Sequence, residues 1–231
     1  MLLYGGSSMI EKRIIDAAEA VAMVKPGDVV HVGGFLGCGS PERILAALAA
    51  AKTSNLTLVC NDTAIYNPKT GVANGVAPLV LNHQFSRIIV SHIGTNPETQ
   101  RQMNTGETEV QLVPQGTLAE RIRAAGFGLG GILTPTGVGT EVEEGKTKIT
   151  IKNKDYLLEE ALPGNVALIK AKKADKAGNL VYSKTARNFN PLMATACTLV
   201  IAEVEEIVEI GEIDPDQVHT PSIFVNYLVM A

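Results

Sequence analysis

Short aliphatic runs, each closed by glycine, proline or a short polar residue, punctuate the chain along its whole length. Val29–Val32, Leu56–Cys60, Ile88–Val90, Val110–Val113, Val166–Ile169, Leu180–Tyr182 and Leu199–Ala202 read as buried strands,. Helical spacing lies between several of them. Ile10 to Val24 carries Ile14, Ala18 and Val21 on one stripe and stops at Lys25-Pro26-Gly27,. A second helix is predicted from Pro41, with Ser40 as its cap and Ile44, Leu45 and Leu48 as its apolar face,. A third covers Leu118 to Ala125, opened by a Thr117/Glu120 capping box and stopped by Gly126,. Lys148 to Lys152 alternates polar and apolar ahead of an Asn153-Lys154 hairpin turn,. No linker, repeat or low-complexity tract interrupts the pattern, so one α/β domain is expected.

Composition narrows this picture. Of the 231 residues 45% are hydrophobic and only 4% aromatic, which calls for an aliphatic core. The net charge is −4 and no run of Lys or Arg exceeds two, a balance that argues against a nucleic-acid partner,. Cys38, Cys60 and Cys197 are odd in number and lie far apart, as expected of thiols in a reducing compartment,. No apolar run has the length of a membrane span, and the opening residues do not form a signal peptide,. A cytoplasmic protein is expected. Residues 1–8, MLLYGGSS, read as an expression scar before a natural start at Met9, leaving 9–231 as the domain.

The first strand runs straight into Gly33, Gly34, Phe35, Leu36, Gly37, Cys38 and Gly39 before a helix start. Glycines between a strand and a helix expose backbone N–H groups that a phosphate or thioester can approach, although a plain tight turn explains them too. Two other strands also end in short polar residues, Asn61-Asp62-Thr63 and Ser91-His92, where open α/β sheets place ligand groups,. Gly126 to Gly131 spells G-x-G-x-x-G but follows a helix, so a dinucleotide site is rejected,. The histidines (His31, His83, His92, His219) have no metal-ligand spacing, and no metal is expected,.

The order Gly-Gly-Phe-x-x-x-Gly-x-Pro from Gly33 resembles the signature of the first subunit of family I CoA-transferases. Asn61-Asp62-Thr63-Ala64, SHIGTNPE from Ser91, LVPQGTLAERIR from Leu112, LTPTGVGT from Leu133 and ARNFNP from Ala186 extend the likeness over nearly the whole chain. It is strongest to the α subunit of the bacterial acetate/acetoacetate enzymes. The chain departs from the pattern at His31, where an aliphatic residue is usual, and at Pro26.

The resemblance implies an open, largely parallel sheet flanked by helices, a fold shared with sugar-phosphate isomerases. It implies CoA thioesters as substrates, no permanently bound cofactor, and a β subunit that carries the glutamate nucleophile, commonly as two α and two β chains. It places Asn61 in an oxyanion hole, Gln115 close to the reacting carboxylate, and the Gly33–Gly39 loop at CoA. A turn-capping Asn61 and a Gln115 belonging only to a Pro-Gln-Gly turn remain the plainer readings. Glu144-Gly145 imitates the nucleophile segment inside a solvated charged turn, and Glu203, Glu205, Glu206 and Glu209 look like a solvated face. Asp62 is the strongest rival nucleophile within the chain, though a turn or interface role suits its short side chain better. An isomerase-like enzyme and an acyl-CoA sensor are the alternatives on the same fold.

Overall fold

In a computed structural model, residues 11–231 are described. The proposed scar, the Met9 start and the first residue of the Ile10–Val24 helix lie outside them. In chain order the elements are β1 (Arg13–Ile15), α1 (Ala17–Ala22), β2 (Val29–Val32), α2 (Glu42–Ala51) and β3 (Leu56–Val59). A small hairpin of β4 (Tyr66–Asn67) and β5 (Val72–Ala73) precedes α3 (Ala77–Leu81), β6 (Phe85–Val90), α4 (Pro97–Thr105), β7 (Glu109–Leu112) and α5 (Gln115–Gly126). An outlying sheet follows, β8 (Gly131–Thr134), β9 (Lys148–Ile151) and β10 (Lys154–Glu160). The chain ends through β11 (Gly164–Asp175), β12 (Leu180–Val181), α6 (Asn190–Thr195), β13 (Cys197–Val208) and β14 (Tyr227–Met230).

The main sheet has the order β1-β14-β13-β11-β2-β3-β6-β7, parallel throughout, with β12 added antiparallel to β11. The open, largely parallel α/β sheet anticipated from the chain is therefore present. Side-chain alternation splits the core in two. Val166 and Leu168 join Val30, Leu58 and Ile88 under α2 and α3, while Ala167 and Ile169 join Val59, Ile89, Leu118 and Met193 under α5 and α6,. From β2 the order runs to β3, β6 and β7 on one side and to β11, β13 and β14 on the other. The crossover direction thus reverses between β2 and β11. Open sheets leave a crevice at such a point, at the carboxyl ends of the strands.

Several expectations need correction. Ile10–Val24 is not one helix: Arg13–Ile15 pair with Tyr227–Val229, and only Ala17–Ala22 is helical, capped by Asp16 accepting from Glu19 N at 2.7 Å. Strand pairing with β14 overrides the helical stripe and leaves Ile14 exposed. Ser40 does not cap α2; its hydroxyl donates to Gly33 O, and the buried Glu203 carboxylate of β13 accepts from Ile44 N at 3.0 Å. Glu203 is thus no solvated residue, and burial pushes its carboxyl up. Its neighbours do face water: Lys172–Glu205, Lys173–Glu206 and Lys176–Glu209 form a cross-strand ladder that carries β11 and β13 well beyond their apolar centres,. The third helix starts at Gln115, so Thr117 sits buried inside its first turn and Glu120 pairs with Arg123 instead. The hairpin turn is Lys152-Asn153, one residue earlier than read, with both φ values positive,.

His31 occupies the α5/α6 side of β2 with no exposed surface and no hydrogen-bond partner for either ring nitrogen. It lies against Gly164 and Cys197, and burial lowers its pKa to about 3. The imidazole is therefore a neutral core filler where a strand normally holds an aliphatic residue. The unfolded chain takes up this proton near pH 6.5 and the folded chain near 3, so folding loses stability as pH falls between them,. The loss amounts to about 1 kcal/mol per pH unit. Urea unfolding from pH 7 to 4 is expected to show this slope, and His31→Leu to flatten it without lowering stability at pH 7.

Candidate active site

Three strands deliver the polar residues to one place. β3 ends at Val59 and continues into Cys60, Asn61, Asp62 and Thr63, all buried. β6 ends at Val90 and brings Ser91, whose hydroxyl and backbone N–H both donate to Asn61 O at 2.8 Å. β7 ends at Leu112, and Gln115 opens α5 three residues later. The side-chain amides meet: Gln115 Nε2 donates to Asn61 Oδ1 at 2.7 Å. The Ser91 hydroxyl reaches the same oxygen at 3.2 Å. Asn61 is only 1% exposed, and Gln115 is the member of the pair that faces solvent. Asn61 Nδ2 donates to Asp62 Oδ2 at 2.6 Å, which leaves one amide hydrogen on each of Asn61 and Gln115 for another acceptor,.

The Asp62 carboxylate connects this pair to the glycine loop. It accepts from Ala64 N at 2.7 Å and from Leu36 N at 2.9 Å in addition to Asn61. Leu36 and Gly37 are the central residues of a tight turn closed by reciprocal backbone bonds between Phe35 and Cys38. Both have positive φ, 49° and 85°. Glycine accepts that conformation freely and leucine does not. Leu36 is held in it from both sides, its N–H by Asp62 and its carbonyl by Asn74 Nδ2 at 3.3 Å. A side chain on Gly37 would overlap Asn74. The N–H groups of Gly34, Gly37 and Gly39 have no acceptor among the described residues.

All the residues singled out in the sequence stand at this end of the sheet: Asn61 and Gln115 in contact, and Gly33 to Gly39 joined to them through Asp62. His92 follows β6, is exposed and packs its ring on Gly94. Its backbone bridges to that of Asp62. Glu144 lies exposed beyond a short turn in which Glu143 binds Gly139 N and Lys148. No group of three or more His, Cys, Asp or Glu is placed to hold a metal among the described residues.

Residues 14–231 match the family model for coenzyme A transferase. The chain belongs to the coenzyme A transferase family. It is 46% identical to the acetate CoA-transferase subunit alpha of Escherichia coli K12, over 96% of this chain and 98% of that protein. It is 43% identical to the acetoacetyl-CoA:acetate/butyrate CoA transferase alpha subunit of Clostridium acetobutylicum, over 95% and 98%. The fold is that of an acyl-CoA transferase from E. coli O157:H7 solved as a thioester complex with CoA, at TM-score 0.85 and 20% identity. That match covers 96% of this chain but 47% of the other, so the solved protein is about twice as long. Membership in this family weighs against the isomerase and sensor alternatives.

The sequence offered Asp62 as a rival nucleophile and, preferably, as a turn or interface residue; in this coenzyme A transferase it ties the loop to the amide pair. Part of the signal was available, because an aspartate in a turn commonly accepts from the N–H two residues on, here Ala64; the bond to Leu36, 26 residues away, carried none,. Asn74, far from any motif, carried no signal. Asp62→Ala is expected to release Leu36 and to leave the buried Ala64 N–H unpaired. The expected cost is at least about 2 kcal/mol of stability, with faster proteolysis between Gly33 and Gly39. Urea unfolding and timed thermolysin digestion, which can cut before Phe35 or Leu36, measure both effects.

Proposed function

We propose that this chain is the α subunit of a cytoplasmic, heteromeric CoA-transferase that exchanges CoA between short-chain carboxylic acids such as acetate, acetoacetate and butyrate. The nucleophile is a glutamate of the β subunit, in an assembly of two α and two β chains. The observation that carries this reading is the Asn61–Gln115 amide pair joined by Asp62 to the glycine loop. That is a set of neutral donors at strand ends in a chain of this family.

The chemistry explains why the donors are neutral. The glutamate carboxylate attacks the thioester carbonyl and expels CoA thiolate, leaving an acyl-glutamyl anhydride. The thiolate then attacks the glutamyl carbonyl, releases the first acid and leaves a glutamyl-CoA thioester. A second acid runs the same two steps in reverse. Each attack builds a tetrahedral oxyanion, which amide N–H groups stabilise without protonating the nucleophile. The free amide hydrogens of Asn61 and Gln115 suit this role, and the unpaired N–H groups of Gly34, Gly37 and Gly39 suit CoA. Acidic side chains close to the site are engaged elsewhere: Asp62 by three donors, Glu42 by Gly75 N, and Glu203 beneath α2. Phe35, Ile65 and Leu112 stand exposed at the same strand ends, an apolar rim that favours closure by a second chain,.

The test is to incubate the isolated chain and its complex with the β subunit with acyl-CoA and reduce the trapped thioester with borohydride. The modified glutamate is expected on the partner polypeptide. Label on a carboxylate of this chain, or transfer without a partner, would overturn the proposal. Asn61→Ala is expected to lower turnover of the assembled enzyme about 100- to 1000-fold while assembly persists.

A further inference from the structure

The ARNFNP segment, which belongs to none of the reacting groups above, grips the glycine loop from behind. Asn190, with no exposed surface, spends its whole side chain on three segments. Its Oδ1 accepts from Lys170 N at 2.9 Å, and its Nδ2 donates to Gly39 O at 3.0 Å and Ala186 O at 2.8 Å. The first bond has a structural cause. β2 stays in register with β11 only through Val32 opposite Leu168, with Gly33 N donating to Leu168 O. Where β2 leaves the sheet, the N–H of Lys170 loses its strand partner, and the Asn190 amide replaces it. A Cβ on Gly33 would overlap this amide, so the loop leaves the sheet directly across Asn190.

Asn188 acts one residue earlier in the loop. Its Nδ2 donates to Cys38 O at 2.9 Å and to Thr185 O at 2.7 Å. In a trans peptide the carbonyl of Cys38 and the N–H of Gly39 point in opposite directions. Phe35 N and Asn188 share that carbonyl, and the Asn188 bond aims the Gly39 N–H away from the segment behind the loop; this is one of the three N–H groups without an acceptor among the described residues. Asn190 anchors the next carbonyl, that of Gly39, from the same segment.

We propose that Asn188 and Asn190 are positioning residues for CoA: they fix the two peptide units that flank Gly39, so that its free N–H faces the ligand. The proposal rests on the reading of the Gly33–Gly39 loop as the CoA seat. Neither residue touches the reacting atoms.

The experiment uses the assembled α–β enzyme and measures the Kd for free CoA together with KM for acyl-CoA and for the acceptor acid. Asn188 is partly exposed, so Asn188→Ala is expected to fold and assemble normally. It should weaken CoA binding and raise the acyl-CoA KM about fivefold or more, the scale of one lost hydrogen bond. KM for the acceptor acid should not move. Asn190→Asp keeps an acceptor for Lys170 N but turns an oxygen toward two carbonyls, and it should weaken CoA binding further. Unchanged CoA affinity in both variants, or equal rises in KM for CoA ester and acid, would overturn the proposal. A wild-type complex that binds CoA without transferring it would sink the assigned activity while leaving the positioning role to be judged by Kd. A wild-type complex that binds no CoA would sink both.

Discussion

A carboxylate placed inside a protein must find donors, and the functional end of this chain is arranged by how Asp62 finds them. It has no counter-ion in contact among the described residues. Instead it collects N–H groups from its own neighbours Asn61 and Ala64 and from Leu36 in the loop after β2. Each bond constrains a different part: the turn that follows β2, the chain that leaves β3, and the amide that faces Gln115. Charge-assisted bonds of this kind are stronger than neutral ones and cost more when one member is lost. That strength is what holds Leu36 in a left-handed conformation a leucine ordinarily avoids,.

The parallel sheet was legible because its strands are buried on both faces and so read as unbroken aliphatic runs. Val29–Val32 and Leu56–Val59 emerged with almost the expected bounds. The reading failed where tertiary partners outweighed local pattern. Arg13–Ile15 has helical spacing, yet it is a strand because β14 offers it an edge. Ser40 and Thr117 have the chemistry of caps, but the helices they precede begin at other residues, and Glu203 supplies from the far half of the chain the acceptor that Ser40 does not. Glu203 and Glu205 look alike in a row of glutamates. Both point to the same face of β13, and what separates them is that α2 covers Glu203, whereas Glu205 lies one pleat further along among Lys170 and Lys172 in water,.

The candidate site was legible in part for a different reason. Asn61 and Gln115 lie 54 residues apart, and no periodicity joins them; the motif resemblance placed both. What it did not supply was the wiring. Asn61 turns out to be nearly buried with its carbonyl oxygen bonded to Gln115, and Ser91 and Asp62 fix its orientation further. Asn74 and Asn188 shape the loop through single bonds to carbonyls, a role that any turn asparagine could fill and that spacing cannot reveal.

The bonds from Asn188 and Asn190 to the loop span 150 and 151 residues. During synthesis the strands from β2 to β7 and their helices can assemble from the first half of the chain, but the loop then lacks its rear support. Contacts so distant in sequence close late, because loop-closure entropy has to be overcome first. The growing polypeptide therefore carries Asn61 and Gln115 well before it can shape the turn beside them. The turn takes its final shape only after β11 and α6 have left the ribosome, and a chain cut short before α6 would keep the two amides but lose the rear support of the loop.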